Sequence, residues 1–162
     1  MEAIKVTGAN TTPKFECINP KRDVWKVRFN YEDAENDNST FYELEYKGKP
    51  SFDTIKEDIT TFYNQQIDSK ILSGFKWKDM TVWLSTENQF NYKAIYDLAV
   101  QASGTTLPIT FKFGTDTEPI YYTFNELSDL ADFYTQVLTY IQTTLSEGWT
   151  IKDKITEEDY KL

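Results

Sequence analysis

The sequence contains no histidine and a single cysteine, Cys17. Without histidine it has no imidazole general base, no histidine-activated serine or cysteine nucleophile, and no histidine-containing zinc site. One cysteine also excludes an intrachain disulfide and a CxxC motif. We therefore expect a protein that is not an enzyme and that needs neither a metal nor another cofactor.

Basic residues are scarce as well, since 17 Lys and Arg stand against 26 Asp and Glu, for a formal net charge of −9. A protein that binds nucleic acid through its phosphates needs a face rich in Lys and Arg. No apolar run approaches the roughly 18–20 residues that a membrane span requires. We expect neither nucleic acid nor a membrane as a partner.

Aromatic residues are abundant, at 16% of the chain. Apolar residues alternate with polar ones through 25–31 and 42–46, which predicts the two strands of a hairpin. Two further hairpins are predicted within 75–84 and 107–124. Because a predicted helix follows each hairpin, the order is ββ-α-ββ-α-ββ-α. This order predicts an α+β fold, an antiparallel sheet of hairpins with the long C-terminal helix packed on one face.

Local signals place the ends of the three helices. Ser51 and Asn125 are good N-terminal caps, and Ser85 or Thr86 is predicted to start the second helix. Gly104 stands where a left-handed C-terminal cap is expected. The third helix is predicted to end at Gly148. Along the second helix, the predicted inner stripe consists of Ile95, Leu98, Ala99 and Ala102.

The domain organisation is predicted from composition. Residues 1–20 are polar and rich in turn formers, so they are predicted as an N-terminal arm. Residues 21–148 are predicted as a single α+β domain, and residues 149–162 as a charged C-terminal tail.

Two groups of acidic residues were considered as sites. The loop with Asp33, Glu35 and Asp37 begins like a calcium loop, but Asn38 and Leu44 stand where such a loop needs Gly and Glu. A solvated hairpin turn is the better interpretation. The remaining acidic residues lie in turns and on helix faces, where a structural role accounts for them; they are Asp53, Glu57, Asp58, Asp129 and Asp132.

The four tryptophans allow two interpretations. A platform of exposed Trp and Tyr side chains would suit a sugar, whereas aromatic residues at alternate strand positions are ordinary core residues. We favour core or subunit interface for Trp77 and Trp83. Trp149 is predicted to hold the tail or to contact a partner.

The charge distribution is uneven. Residues 113–151 contain six acidic residues and no Lys or Arg, while residues 133–146 carry no charge at all. A helix packed only on its own sheet normally has a charged outer face. We therefore predict that this helix contacts another chain. The predicted interface consists of Phe133, Val137, Tyr140, Thr144 and Trp149.

Four strings carry a family resemblance: 71–77 (ILSGFKW), 83–91 (WLSTENQFN), 111–116 (FKFGTD) and 124–130 (FNELSDL). Together they resemble a small domain of unassigned function in tailed-bacteriophage proteins, near tail fibres and their assembly factors and in gut phages such as the crAss-like group. The resemblance covers about residues 52–150. It implies a virion or assembly protein and supplies no site residues.

The expected function is thus a non-enzymatic structural component of a tailed-phage virion. It would be attached to the capsid or tail, where it could anchor or form part of a fibre, and it would act through subunit contacts. The expected partners are other virion proteins and further copies of the chain, and the expected location is the virion, assembled in the host cytoplasm. Two alternatives stay open: a carbohydrate- or receptor-binding module, and an acidic inhibitor that mimics nucleic acid.

Overall fold

The computed structural model describes residues 2–162 and has an α+β fold, which confirms the predicted class. All strand pairs are antiparallel. The elements are β1 (Ile4–Ala9), β2 (Phe15–Asn19), β3 (Val24–Asp33), β4 (Asn38–Lys47), α1 (Phe52–Ser73), β5 (Phe75–Trp77), β6 (Met80–Val82), α2 (Thr86–Gln101), β7 (Ile109–Gly114), β8 (Pro119–Phe124), α3 (Leu127–Asp153) and a 3-10 helix (Glu157–Tyr160).

The chain divides into two compact units. The first unit comprises residues 1–64 and 150–162, and the second comprises residues 65–149. Helix α1 contributes residues to both units, and so does α3. This division differs from the predicted one, which set boundaries at residues 20 and 148.

The first unit is built on a four-stranded sheet in the order β1-β4-β3-β2. As the alternation predicts, β3 and β4 bury every second residue on one face, against the start of α1. The spacing i, i+4, i+7, i+8 of four apolar residues predicts one buried face on α1. The structure confirms this face, since Ile55 and Ile59 are buried with Phe62 and Tyr63 packed beside them. The core of this unit contains Phe15, Trp25, Val27, Phe29, Leu44, Tyr46, Ile55, Ile59 and Tyr160.

The alternation of buried and less buried residues in β3 is interrupted near the C-terminal end of the strand. The register with β4 shifts between Phe29 and Glu32, and Asn30 within the shift has a left-handed φ of 56°. A bulge of this kind inserts residues that have no partner and redirects the side chains that follow. Tyr31 accordingly stacks on Phe41, with ring centroids 4.8 Å apart, instead of continuing the Phe29 side of the strand.

Both ends of the chain are part of the first unit. The predicted arm 1–20 is wrong as an element, because β1 pairs with β4 and β2 pairs with β3. The predicted tail 149–162 begins inside α3, which runs to Asp153. Beyond the helix, Ile155 and Tyr160 pack on the core of the first unit. Composition failed here because short polar strands bury only a few residues each, while hydrogen bonding to a neighbouring strand supplies the rest of their stabilisation.

The second unit contains two separate two-stranded sheets, β5-β6 and β7-β8, together with α2 and most of α3. Its core is strongly aromatic and surrounds Trp77. The buried residues are Phe75, Trp77, Val82, Leu84, Tyr92, Ala99, Phe111, Phe113, Phe124, Leu130, Phe133 and Val137.

The predicted caps are largely confirmed. The hydroxyl oxygens of Ser51 and Ser85 accept hydrogen bonds of 3.2 Å from the backbone N–H groups of Thr54 and Asn88. Gly104 has a φ of 81° and donates its N–H to the carbonyl of Ala99 at the end of α2. The Asn125 side chain instead donates a 3.4 Å bond to the carbonyl of Thr123.

Gly148 does not end α3 but lies within it, buried against α1. A Cβ built at Gly148 would lie 2.1 Å from Cδ1 of Ile67, so a larger residue fits only if the Ile67 side chain moves. The prediction of a helix end there was wrong because a glycine that permits close helix packing carries the same local signal as a terminating glycine.

Gly148→Ala is therefore expected to lower the free energy of unfolding by about 1–3 kcal/mol through overpacking. Helix propensity alone would predict a gain of about 1 kcal/mol, so the sign of the change separates the two effects. Urea unfolding monitored by circular dichroism measures it. Ile67→Ala in the Gly148→Ala background should recover part of the loss, and Gln142→Ala on the exposed side of α3 is the control.

Candidate functional site

The structure places most of the predicted interface in the interior. Phe133 and Val137 belong to the core of the second unit, and Thr144 is buried as well. These three residues cannot contact another chain in the folded protein, so this part of the prediction is wrong. The reason is that α3 carries two adjacent apolar stripes, and the one with Phe133 and Val137 faces inward.

The other two predicted interface residues differ from each other. The Tyr140 hydroxyl donates a 2.8 Å hydrogen bond to the carbonyl of Lys70, and its ring lies 5.2 Å from that of Phe75. Tyr140 thus has partners within the second unit. Trp149 is exposed and stays a candidate contact residue.

The second stripe of α3 reaches the surface beside α2. Leu138 is 49% exposed, and Tyr134 and Ile141 on either side of it are half-buried. Across from them, Phe90 near the start of α2 is 74% exposed. Phe90, Tyr134, Leu138 and Ile141 together form what we call the α2–α3 face.

Packing between the two helices positions this face. The rings of Tyr96 on α2 and Tyr134 on α3 are stacked with centroids 4.7 Å apart. Tyr92, one turn before Tyr96, is buried in the core and fixes the rotation of α2. Burial also raises the pKa of Tyr92 to about 12, so its hydroxyl stays neutral. The α2–α3 face is therefore held by side chains with few alternative positions.

A groove of about 310 Å³ runs along the α2–α3 face. Val137 and Ile141 line it from α3, while Thr86 and Gln89 line it from α2. Phe90 also borders the groove and, unlike these residues, is mostly exposed. The face thus presents a projecting aromatic ring next to an apolar depression.

The groove is close to electrically neutral. Lys93 is the one charged residue among those lining it, and its ammonium group is 2.6 Å from a carboxylate oxygen of Asp97. The hydrogen bond from Lys93 to Asp97 also raises the pKa of Lys93. An apolar, neutral surface in a chain of net charge −9 suits contact with another protein.

The acidic residues considered as catalytic groups have structural partners. Asp129 accepts hydrogen bonds from Lys78 at 2.7 Å and Tyr122 at 2.6 Å. Although partial burial favours its protonated form, these two bonds lower the pKa of Asp129. Asp132 accepts from Trp77 at 3.3 Å, and Asp58 accepts from Tyr46 at 2.7 Å. Asp53 and Glu57 are exposed on α1.

The remaining sequence candidates also have defined positions. Asn36 and Asp37 have left-handed φ angles of 60° and 58°, as a tight hairpin turn requires.

Within residues 2–162, no three His, Cys, Asp or Glu side chains are arranged to hold a metal ion. No described helix is long and apolar enough to cross a membrane.

Most of the chain matches the model of one protein family. The model of a family described as "Domain of unknown function (DUF4376)" matches residues 54–162. The chain belongs to the DUF4376 family. No curated protein and no solved structure matches the chain.

The α2–α3 face lies wholly within the part of the chain that matches DUF4376. The exposure of Phe90 was not predicted, because the sequence prediction for α2 covered only its inner stripe. That stripe was itself partly wrong, since Leu98 is exposed. Phe90, Ala94 and Leu98 are spaced i, i+4, i+8 and are all exposed, so α2 also has an apolar outer stripe that the same periodicity argument would have found.

Proposed function

We propose that this DUF4376 protein is a non-enzymatic structural subunit whose α2–α3 face binds the same face of a second copy. The observation that carries the proposal is the exposed ring of Phe90 beside an apolar groove on the same surface. A two-fold symmetric interface requires one patch that is complementary to itself. A projecting ring and a neighbouring groove meet this requirement, because each copy can insert Phe90 into the groove of the other.

Charge supports a second copy as the occupant. Two chains of net charge −9 repel each other over most of their surfaces. Residues 133–146 carry no charge, and Lys93 at the rim of the groove is paired with Asp97. The α2–α3 face is thus a place where two copies can approach without placing like charges opposite each other.

The proposed setting of this contact is the virion of a tailed bacteriophage, on its capsid or tail. The resemblance of residues 71–77, 83–91, 111–116 and 124–130 to tailed-phage proteins supports this setting. Other virion proteins would then be further partners. Mass spectrometry of purified particles from a phage that encodes this chain tests the setting, and absence of the chain from the particles would contradict it.

Self-association is tested by Phe90→Ser. We expect the unaltered protein to form dimers at micromolar concentration, and Phe90→Ser to weaken dimerisation at least about tenfold through loss of a buried aromatic anchor. Sedimentation equilibrium measures the dissociation constant.

Tyr121→Ser is the matched control, because Tyr121 is an aromatic residue that is 68% exposed on β8, away from the groove. It should leave the dissociation constant unchanged. A protein that stays monomeric at about 1 mM, well above the range of specific association, would overturn the proposal. Equal weakening by both substitutions would show that the contact lies elsewhere.

A further inference from the structure

A second concave site lies in the first unit, about 450 Å³ in volume. Phe29 from β3 and Ile59 from α1 form part of its lining, and Ile155 contributes from the segment after α3. This volume lies within the range of about 300–1,000 Å³ typical of small-molecule sites. The pocket thus combines an apolar lining with room for a small ring compound.

Three tyrosines, Tyr31, Tyr63 and Tyr160, place hydroxyl groups around this pocket. Tyr31 donates a 3.1 Å hydrogen bond to the carbonyl of Thr12. Tyr160 is only 9% exposed, and its hydroxyl has no hydrogen-bond partner among residues 2–162. Since the structure contains no fully enclosed unpaired side-chain atom within that range, the Tyr160 hydroxyl retains access to solvent, and Tyr160 is one of the residues that line the pocket. Burial raises the pKa of Tyr160, so this hydroxyl remains a neutral donor.

The bulge in β3 places the side-chain amide of Asn30 in the lining of the same pocket. Asn30 lies in the register shift, lines the pocket, and accepts a 3.4 Å hydrogen bond from Tyr63 through its side-chain oxygen. Its amide nitrogen donates a 3.2 Å bond to Glu32. A non-glycine residue held in a left-handed conformation is commonly found at binding sites, where it directs a side chain toward the ligand.

The residues that line this pocket carry a net positive charge, whereas the whole chain carries a net negative charge. The charged residues lining it are Lys14, Lys154 and Asp159. Lys14 lies 2.6 Å from Asp159, so these two charges cancel. Lys154 forms no ion pair among the described residues. The nearby Glu32 is paired with Lys5 at 3.1 Å. One uncompensated positive charge therefore stands at an otherwise neutral pocket.

We propose that this pocket binds a small ring compound that carries one carboxylate. The ring would lie against Ile151 and Ile155, the apolar lining residues that are accessible, above the buried side chains of Phe29 and Ile59. The carboxylate would accept hydrogen bonds from the Lys154 ammonium group and the Tyr160 hydroxyl, the two donors of the pocket that have no side-chain partner among residues 2–162. An aromatic hydroxy acid and a sugar acid share this chemistry. The proposal is independent of the α2–α3 face, which lies in the other unit.

Nuclear magnetic resonance titration of the full chain tests the proposal with four probes. These are 4-hydroxybenzoate and D-glucuronate, and their neutral counterparts 4-hydroxybenzyl alcohol and D-glucose. We expect saturable shifts at the amides of Asn30 and Tyr160 with at least one carboxylate, and binding at least about tenfold weaker for its neutral counterpart. The tighter of the two carboxylates identifies the source as aromatic or saccharide.

Three variants locate the contacts. Lys154→Gln should weaken binding about tenfold, and Tyr160→Phe about fivefold. Tyr160→Phe keeps the ring and removes a hydroxyl that has no protein partner, so the fold should be unaffected. Lys161→Gln is the control and should change binding less than about twofold, because Lys161 pairs with Glu158 outside the pocket. Phe90→Ser should leave binding unchanged. The proposal is overturned if neither carboxylate binds saturably below about 10 mM, or if Lys161→Gln weakens binding as much as Lys154→Gln.

Discussion

Trp77→Ala is expected to lower the free energy of unfolding by about 3–5 kcal/mol. The side chain is fully buried in the second unit, and its indole N–H donates a 3.3 Å hydrogen bond to Asp132. Removing it would leave a large cavity, whereas Asp132 is exposed and would keep its 2.7 Å hydrogen bond from Gln136, so the cavity accounts for the loss. The indole ring packs against four aromatic rings, with centroid distances of 4.8 Å to Tyr122, 5.2 Å to Phe124, 5.3 Å to Phe133 and 6.3 Å to Phe113.

Trp83→Ala is the matched control for this experiment. Trp83 follows the partner strand of the same hairpin but is 42% exposed, with one hydrogen bond of 3.1 Å from its indole N–H to the carbonyl of Gly114. We expect it to lose no more than about 1.5 kcal/mol. Guanidinium unfolding followed by circular dichroism measures both variants. Equal losses would show that the second unit is not organised around Trp77.

The sequence could not distinguish these two tryptophans. Both stand at or beside short strands, and three-residue strands such as β5 and β6 are too short for alternation to assign a face. The longer strands β3 and β4 did allow it, since the predicted Trp25, Val27, Phe29, Leu44 and Tyr46 are buried, although the burial of Arg28, Ser39 and Phe41 was not predicted. The bulge at Asn30 was not predictable, because it depends on how β3 pairs with β4 rather than on the residues of β3 alone.

The α2–α3 face shows the same limit of sequence-based prediction for a helix, because the sequence of α3 alone does not determine which of its faces is buried. The lack of charge in residues 133–146 predicted an unusual outer face on α3, and Leu138, which periodicity placed in an apolar stripe of this helix, is exposed as well. Periodicity predicts two apolar stripes on α3, one with Tyr134 and Ile141 and one with Phe133 and Val137, but gives no means of choosing between them. That choice depends on where α2, β7 and β8 lie around α3, which is tertiary information. Phe133 was therefore assigned to the surface and is found in the core.

Arg28→Ala has the other large expected effect, a loss of about 3–5 kcal/mol in the free energy of unfolding. The Arg28 side chain is buried on the sheet of the first unit. Its guanidinium group donates hydrogen bonds of 2.8 Å to Glu43, 2.5 Å to Glu16 and 2.8 Å to the carbonyl of Pro13. Without Arg28, Glu43 keeps only Lys26 as a cationic partner, and the Pro13 carbonyl loses its hydrogen bond. Lys70→Ala, which breaks the exposed pair with Glu147, should cost less than about 1 kcal/mol and is the control.

The pH dependence separates charge from packing in this cluster. Burial alone would raise the pKa of Glu43, but the hydrogen bonds from Lys26 and Arg28 outweigh it and lower that pKa. A carboxyl group whose pKa is lower in the folded state stabilises the protein above its unfolded pKa of about 4.3, and that stabilisation is lost as the pH falls through the folded value. Because Arg28→Ala removes one cause of the shift, the difference in unfolding free energy between the two proteins should shrink from pH 7 to pH 3. Urea unfolding at both pH values measures it. A constant difference would mean that Arg28 stabilises the sheet through the packing of its side chain and not through its ion pairs.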